Sequence, residues 1–544
     1  MNTADLFVRC LENEGVKYIF GVPGEENAHF MMALEHSSIR FMLTRHEQGA
    51  AFMADVYGRL TGEAGVCLGT LGPGATNLVT GVADANMDRA PCVVITGQAD
   101  SKRQHKESHQ NMDVVSLFGP ITKWATPIRH PDNVPEVVRK AFKLATTEKP
   151  GACHIELAED IAQAEVHGKQ PLPGGRVRRP VPDDKIVDQA WALIRKAERP
   201  LILAGNGCIR KRASRQLRQF CEATGIGVIS TFMGKGAVSR KADYCMYTMG
   251  LQARDRVSLA VDAADVIITI GYDLVEYHPY LWHPTRDRKI IHIDLSPAEV
   301  DASYPVEVGV IGDIKHSLMR IAKLATPHQG HLMRPLRQAL IEDMNQHAED
   351  DSFPVKPQKL IWDLRTALDL EDIVVCDVGA HKMWMARMFR CEYPNTCLIS
   401  NGFASMGIAV PGAIAAKMVN PDRAVVAVTG DAGFMMNSQE IETAMRLQVP
   451  IVVLIWNDGG YGLIEWKQIN EFGRPSHVHF GNPDFVKYAE SFGARGYRIE
   501  RTADLLPTLS RAIAEPVLSI IDCPVDYQEN LILTEKLGKL VCPI

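Results

Sequence analysis

The sequence predicts an α/β protein made of three doubly wound parallel sheets, and three observations carry that prediction. Short β-branched runs recur between longer helical patterns: VCLGTL, PCVVITG, PLILAGNG, VIITIGY, KIIHID, DIVVCDVG, RAVVAVTGD, PIVVLIWND and PVLSIIDC. Strands that alternate with helices imply parallel sheets covered on both faces. Most of these runs end in Gly, Asp or Asn, the position where doubly wound folds carry their ligand loops. Finally, two stretches of linker composition, 168–184 and 326–357, divide the 544 residues into segments 1–167, 185–325 and 355–544, each of single-domain size.

Composition narrows the function classes. Lys and Arg number 59 against 65 Asp and Glu, a net charge of −6, so no summed positive field favours nucleic acid or anionic lipid. Hydrophobic residues make up 46% and charged ones 23%, the balance of a soluble globular chain. The longest uncharged run, 64–83, holds five glycines, Pro73, Asn77 and three threonines; it reads as strand, turn and helix start, not as a membrane span. Twelve cysteines stand singly, with no C-x-x-C pair, which predicts reduced thiols and no zinc site. The opening residues MNTADLFVRC lack the apolar core of a signal peptide. These features predict a cytoplasmic chain with neither nucleic-acid nor membrane partners.

In the first segment, the strand FMLT leads into Arg45-His46-Glu47 and an Ala-rich helix, GAAFMADVYGRLTG. By itself Glu47 could be an acid placed at a helix N-terminus for the dipole. The middle segment supplies three strands of its own and the passage Ile270-Gly271-Tyr272-Asp273-Leu274-Val275-Glu276-Tyr277. First and third segments share a coarse plan of apolar strand, Gly-rich turn and helix, while no short-period repeat is present.

The third segment carries the strongest chemical signal. Gly430-Asp431-Ala432 follows the strand AVVAVT, and Asn457-Asp458 follows IVVLIW, with the 24 residues 433–456 between them. Two strands joined by one helical crossover are neighbours in a parallel sheet, so Asp431 and Asp458 should emerge side by side at the carboxyl edge. Such hard oxygen donors, with a carbonyl from the turn Gly459-Gly460, suit Mg²⁺, which takes few protein ligands plus phosphate oxygens. A helix N-terminus expected near 434–438 would favour the phosphate. Taken singly, either acid could merely cap a turn.

This spacing resembles the thiamine-diphosphate signature, Gly-Asp-Gly followed some two dozen residues later by Asn-Asn, with Ala432 and Asp458 as departures that leave both oxygen donors in place. The resemblance implies a glutamate that sets the tautomer of the cofactor's aminopyrimidine, and Arg45-His46-Glu47 matches that motif. In Asn401-Gly402-Phe403-Ala404-Ser405-Met406-Gly407 it makes Met406 the wedge under a bent cofactor and the Ala404 carbonyl an acceptor for its amino group, although Met406 alone would pass for a core residue. Gly379-Ala380-His381 resembles the diphosphate-gripping turn. Ala432, Gly433, Gly460 and Tyr461 fall at the remaining cofactor positions, with the Gly460 carbonyl as third metal ligand. Gly24 in GVPGEEN and Gln110 in SHQNMD match positions lining the substrate pocket.

Across essentially its whole length the chain resembles the acetolactate synthase family, nearest to the catabolic, flavin-independent branch. The passages from Ile270 to Pro279 and from Cys523 to Asn530, with Asn457-Asp458, are similar to that branch, whereas Trp466 in LIEWKQ resembles the biosynthetic tryptophan that shapes acceptor choice. The resemblance implies three domains, pyrimidine-binding, central and diphosphate-binding. It implies a carboligase using thiamine diphosphate and Mg²⁺ without FAD, which decarboxylates pyruvate and joins the product to a second pyruvate, giving 2-acetolactate. It implies 2-ketobutyrate as a further acceptor. It also implies a homodimer or homotetramer with active sites at the subunit interface. The rivals are the FAD-containing biosynthetic enzyme, a pyruvate oxidase or decarboxylase on the same scaffold, and a non-catalytic cofactor-binding protein.

Overall fold

The computed structural model describes residues 1–175, 177–210, 212–250, 257–328 and 334–530; Cys542 lies outside them. The other eleven cysteines are buried free thiols, as their scattered spacing predicts.

Eighteen strands form three six-stranded sheets. The first contains β1 (Tyr18–Gly21), β2 (Arg40–Leu43), β3 (Gly65–Gly69), β4 (Cys92–Gln98), β5 (Trp124–Pro127) and β6 (Ala152–Ala158), in the order β2-β1-β3-β4-β6-β5. The second contains β7 (Pro200–Ala204), β8 (Gly227–Ser230), β9 (Cys245–Thr248), β10 (Val266–Ile270), β11 (Lys289–Asp294) and β12 (Val306–Ile311), ordered β12-β11-β10-β7-β8-β9. The third contains β13 (Ile373–Cys376), β14 (Cys397–Ile399), β15 (Val425–Gly430), β16 (Val452–Asn457), β17 (Arg495–Arg498) and β18 (Ser519–Pro524), ordered β14-β13-β15-β16-β18-β17. The pairings are parallel throughout. All nine runs singled out from the sequence form strands, and the first and third sheets have one and the same winding, the shared plan made concrete.

The strands are apolar because both faces are covered. Every residue of β4, β6, β7 and β10 is buried, and each buried Val, Ile or Leu contributes about 1.5–3 kcal/mol. The chain divides into two compact units: Met1–Val177 with Gly402–Asp422 and Phe434–Ile451, and Arg178–Asn401 with Arg423–Gly433 and Val452–Ile544. The first unit packs Phe7, Phe30, Val93 and Ile155 around its sheet. In the second, Trp384, Phe389 and Trp456 fill the core of the third sheet, and Ile202, Phe220, Ile268 and Ile291 that of the second.

One linker expectation needs correction. Within 326–357 lies the helix Arg334–Asn345, whose Leu340 and Met344 are buried. A surface helix with so narrow an apolar stripe has the overall polarity of a loop, and the prolines around it reinforce that impression. Among the described residues, no helix is long and apolar enough to cross a membrane.

Candidate active site

In the first unit, the residues singled out from the sequence follow β1 (Gly24), β2 (Glu47) and β4 (Gln110). After β2 the chain turns at His46, whose Nδ1 accepts from Gln48 N (3.1 Å) and caps the helix Glu47–Thr61. Glu47 is the first residue of that helix and is 8% exposed. Its Oε2 accepts from Asn77 Nδ2 at 2.9 Å, while Oε1 lies toward Gly74, where a Cβ would stand only 3.3 Å away. Asn77 and Gly74 belong to the helix Pro73–Met87, entered through Gly72 at φ +51°. Gln110, itself at φ +56° and exposed, lays its carbonyl against Gly72, where a Cβ would meet it at 2.9 Å. Gly24 follows β1 and abuts Thr70, whose side chain would collide with any Cβ there. Glu47, Gly24 and Gln110 are thus all tied to the loop after β3 or to the helix that follows it.

The same unit contains the segment from Gly402 to Gly407. Gly402 N donates to Asp88 Oδ1, and Asn437 Nδ2 donates to the Gly407 carbonyl (2.9 Å). Asp88 is in turn paired with Arg59 at 2.9 Å, beside Asp55 and Asp84. This buried network fixes a turn in which Ala404 adopts φ +56°. Met406 is only partly buried, unlike a packed core methionine.

In the second unit, Gly430 of β15 pairs with Trp456 of β16, so Asp431 and Asp458 leave adjacent strands side by side, as their spacing requires. Asp431 Oδ2 accepts from Gly459 N (2.8 Å) and Asn482 Nδ2 (2.6 Å), and Oδ1 from Ala432 N (2.9 Å). Burial raises the proton affinity of both acids, and the neighbouring Asp431 charge helps push Asp458 up to about 8. A buried and a half-buried carboxyl that repel one another are what a divalent cation would relieve. Among the described residues, no group of three His, Cys, Asp or Glu could hold a metal, so carbonyl or ligand oxygens must complete such a site. The helix expected near 434–438 instead spans Asp431–Asn437, because Asp431 caps its own first turn.

His381, in the helix Ala380–Met388 after β13, places its ring over Gly379 and Gly430; Cβ atoms there would stand 2.7 and 3.4 Å from it. Burial lowers its pKa to about 3, so the ring is neutral. Its Nε2 finds no hydrogen-bond partner among the described residues, and neither do Asn482 Oδ1, Trp456 Nε1 or Tyr527 OH. Buried polar atoms normally find partners. Four orphans around one sheet edge, beside two acids and a helix N-terminus, fit a polar, phosphate-bearing group with its metal. Gly433 stands against Asp377, a Cβ there lying 3.2 Å from the carboxylate.

Gly460 bridges to His479, and Tyr461, whose ring packs on Phe480 at 5.2 Å, precedes the helix Gly462–Phe472 that carries Trp466. No residue of that helix is buried, and Trp466 is half-exposed. Sequence reasoning missed Asn77 and Asn482, the amides that grip Glu47 and Asp431. Asn77 stood in the Gly-rich stretch already noted; Asn482 has no local signal, since its partners lie 51 and 25 residues away.

Comparison with known proteins gives these features a common frame. Residues 1–117 match the family model "Thiamine pyrophosphate enzyme, N-terminal TPP binding domain", 187–321 the central domain, and 377–523 the C-terminal TPP binding domain. The chain is 37% identical to the acetolactate synthase of Bacillus subtilis, over 98% of this chain and 95% of that one. It is 35% identical to the catabolic acetolactate synthase of Raoultella terrigena, over 98% and 97%, and 37% identical to a probable acetolactate synthase large subunit of Methanocaldococcus jannaschii, over 99% and 94%. Three domains matched in order, and such identity along nearly the full length, show that the chain belongs to the acetolactate synthase family of thiamine-diphosphate-dependent enzymes.

Proposed function

We propose that this chain converts two molecules of pyruvate and one proton into 2-acetolactate and CO₂. Family membership supports the carboligation, and the observation that carries the assignment of roles is the buried Glu47 with one carboxyl oxygen held by Asn77 and the other directed to the Gly74 turn. When bound, thiamine diphosphate supplies the electron sink for loss of CO₂. Glu47 is the group that would hold a proton against the aminopyrimidine. With the cofactor bound, the Ala404 carbonyl would accept from its amino group and Met406 would support it. His381 and Ala380, with Ala432, Gly433 and Tyr461, would grip the diphosphate; Asp431, Asp458 and the Gly460 carbonyl would hold Mg²⁺. Gly24, Gln110 and Trp466 would each face the substrate, and a dry site would let a second keto acid outcompete a proton. An assay with pyruvate alone, quantifying acetolactate, acetaldehyde and acetate, tests this reading. Acetolactate should dominate; acetaldehyde or acetate as main product would make the chain a decarboxylase or oxidase.

The finer reading concerns acceptor, flavin and assembly. One methylene in an apolar pocket is worth about 1–3 kcal/mol, so Trp466 at the pocket wall should let 2-ketobutyrate compete with pyruvate as acceptor at least on equal terms. We take the domains to be 1–167, 185–325 and 355–544. We propose that FAD is not bound, because Glu276 already takes the amides of Asn206 and Asp273 at the head of the central sheet. We further propose a cytoplasmic homodimer or homotetramer with each site shared between chains. Mixing inactive Glu47→Gln and Asp458→Ala chains should then restore part of the activity, and no recovery after verified subunit exchange would refute the shared site.

A further inference from the structure

We infer that Glu440 is a positioning residue for Glu47, holding the backbone that carries it; the inference rests on the reading of Glu47 given above. Glu440 opens the helix Glu440–Arg446 and is completely buried. Its carboxylate faces the turn between β2 and the Glu47–Thr61 helix within the same unit. Arg45 N donates to Oε1 and Oε2 (3.2 and 3.3 Å), and His46 N to Oε1 (3.0 Å). Thr443 Oγ1 donates to Oε2 at 2.6 Å. One turn further along, the Arg446 guanidinium donates to the Leu43 carbonyl (2.5 Å) while Glu442 holds it from behind (2.9 Å). One short helix therefore grips the connection on both sides of Thr44, donating to the strand end and accepting from the two amides that immediately precede Glu47.

Two further features show that this approach is built into the chain. A Cβ on Gly49 would stand 2.6 Å from Glu440 Oε1, so a glycine in the first turn of the Glu47 helix leaves the room the carboxylate occupies. The amides it binds precede the helix and have no intrahelical acceptor. Without Glu440 these part-buried amides would lose their acceptor, and the turn would have to move to satisfy them. A shift of about 1 Å in a reacting group can cost on the order of 10²-fold in rate, and Glu47, as the next residue, has no hinge to absorb such a shift. Burial raises the Glu440 proton affinity while these same donors oppose that rise, consistent with a carboxylate kept for its contacts.

The test uses the full-length holoenzyme with Glu440→Gln, Glu440→Asp, Glu47→Gln and the double variant Glu47→Gln/Glu440→Gln. Glu440→Gln replaces one acceptor oxygen by an NH₂ that opposes the amides. It should lower kcat by about 10- to 100-fold at saturating cofactor, with the KM for pyruvate within about 3-fold. Glu440→Asp, which keeps two acceptors, should recover part of the rate. In cofactor-free protein, amide hydrogen exchange read by mass spectrometry should quicken across residues 41–48 in Glu440→Gln. The double variant decides the role: if Glu440 acts through Glu47, adding Glu440→Gln to Glu47→Gln should cost no more than about 3-fold further. A full additional loss, or an unchanged kcat despite quickened exchange, overturns the inference. Should Glu440→Gln fail to fold, Glu440→Asp, alone and combined with Glu47→Gln, must show the same non-additivity. Normal turnover of Glu47→Gln would instead refute the role of Glu47 itself.

Discussion

The second and third sheets present the same kind of crevice and use it in opposite ways. In the second, the winding reverses between β7 and β10, the position where doubly wound sheets bind ligands. There Gly207 N donates to the Gly271 carbonyl at 2.7 Å. Glu276 accepts from Asn206 N (2.9 Å), Asp273 N (3.1 Å) and the Thr231 hydroxyl. The chain has put its own carboxylate where an anionic ligand would go. In the third sheet the reversal falls between β13 and β15, and there His381 Nε2, Asn482 Oδ1 and Tyr527 OH have no partner among the described residues. In the one crevice a carboxylate is met by the chain's own amides; in the other, buried polar groups are left without a partner among the described residues. Strand order alone marks both places, and hydrogen-bond accounting distinguishes them.

The largest expected effect lies at Glu47, in the first unit and outside both crevices. Glu47→Gln keeps the size of the side chain and its contact with Asn77 but removes the exchangeable proton. Turnover at saturating cofactor should fall by about 10²–10⁴, with cofactor affinity much less affected; near-normal turnover would remove Glu47 from the reaction. Next in size, Asp458→Ala should cost both activity and the thermal stabilisation given by thiamine diphosphate with Mg²⁺. Calorimetric titration should find binding at least tenfold weaker, and unchanged affinity would exclude Asp458 as a metal ligand. His381→Ala removes one donor to a charged group, worth about 1.5–3 kcal/mol. The same titration should read a loss of roughly 10- to 150-fold, whereas a change in melting temperature alone would make His381 structural.

The smallest effect sharpens the contrast from the other side. Burial raises the Glu276 pKa from the usual 4.5 to about 7. Between those values the folded chain keeps a proton that the unfolded chain has released. Its contribution to stability is therefore full below pH 4.5 and is lost as pH rises through about 7, by about 1–3 kcal/mol. Glu276→Gln cannot titrate, so the difference in stability between parent and variant should shrink by that amount from pH 4.5 to pH 7.5. Thiamine diphosphate binding should not change, and the absorbance spectrum of the purified parent should be flat in the flavin bands. A parallel pH dependence in parent and variant would contradict the buried-acid reading of this crevice.

By itself the sequence determined what is local. Apolar runs such as VIITIGY and PIVVLIWND give strands because both faces are buried, and the spacing of Asp431 and Asp458 puts them at adjacent strand ends because one crossover joins parallel neighbours. Arg45-His46-Glu47 could be read as a strand-to-helix turn for the same reason: FMLT ends and the Ala-rich pattern begins there. Several strands escaped notice; β1, β8, β9, β14 and β17 have only three or four residues, too few to establish a period. The helix Arg334–Asn345 was hidden by its polar surface. Only the tertiary structure decided which side chains meet across long separations. Glu440 reaches Arg45 across 395 residues, Asn77 reaches Glu47 across 30, and Asn482 reaches Asp431 across 51. Each is a polar residue whose partner is set by sheet order and helix packing. Hydrogen-bonding groups act over about 3 Å, and no periodicity along the chain encodes which of them are brought that close.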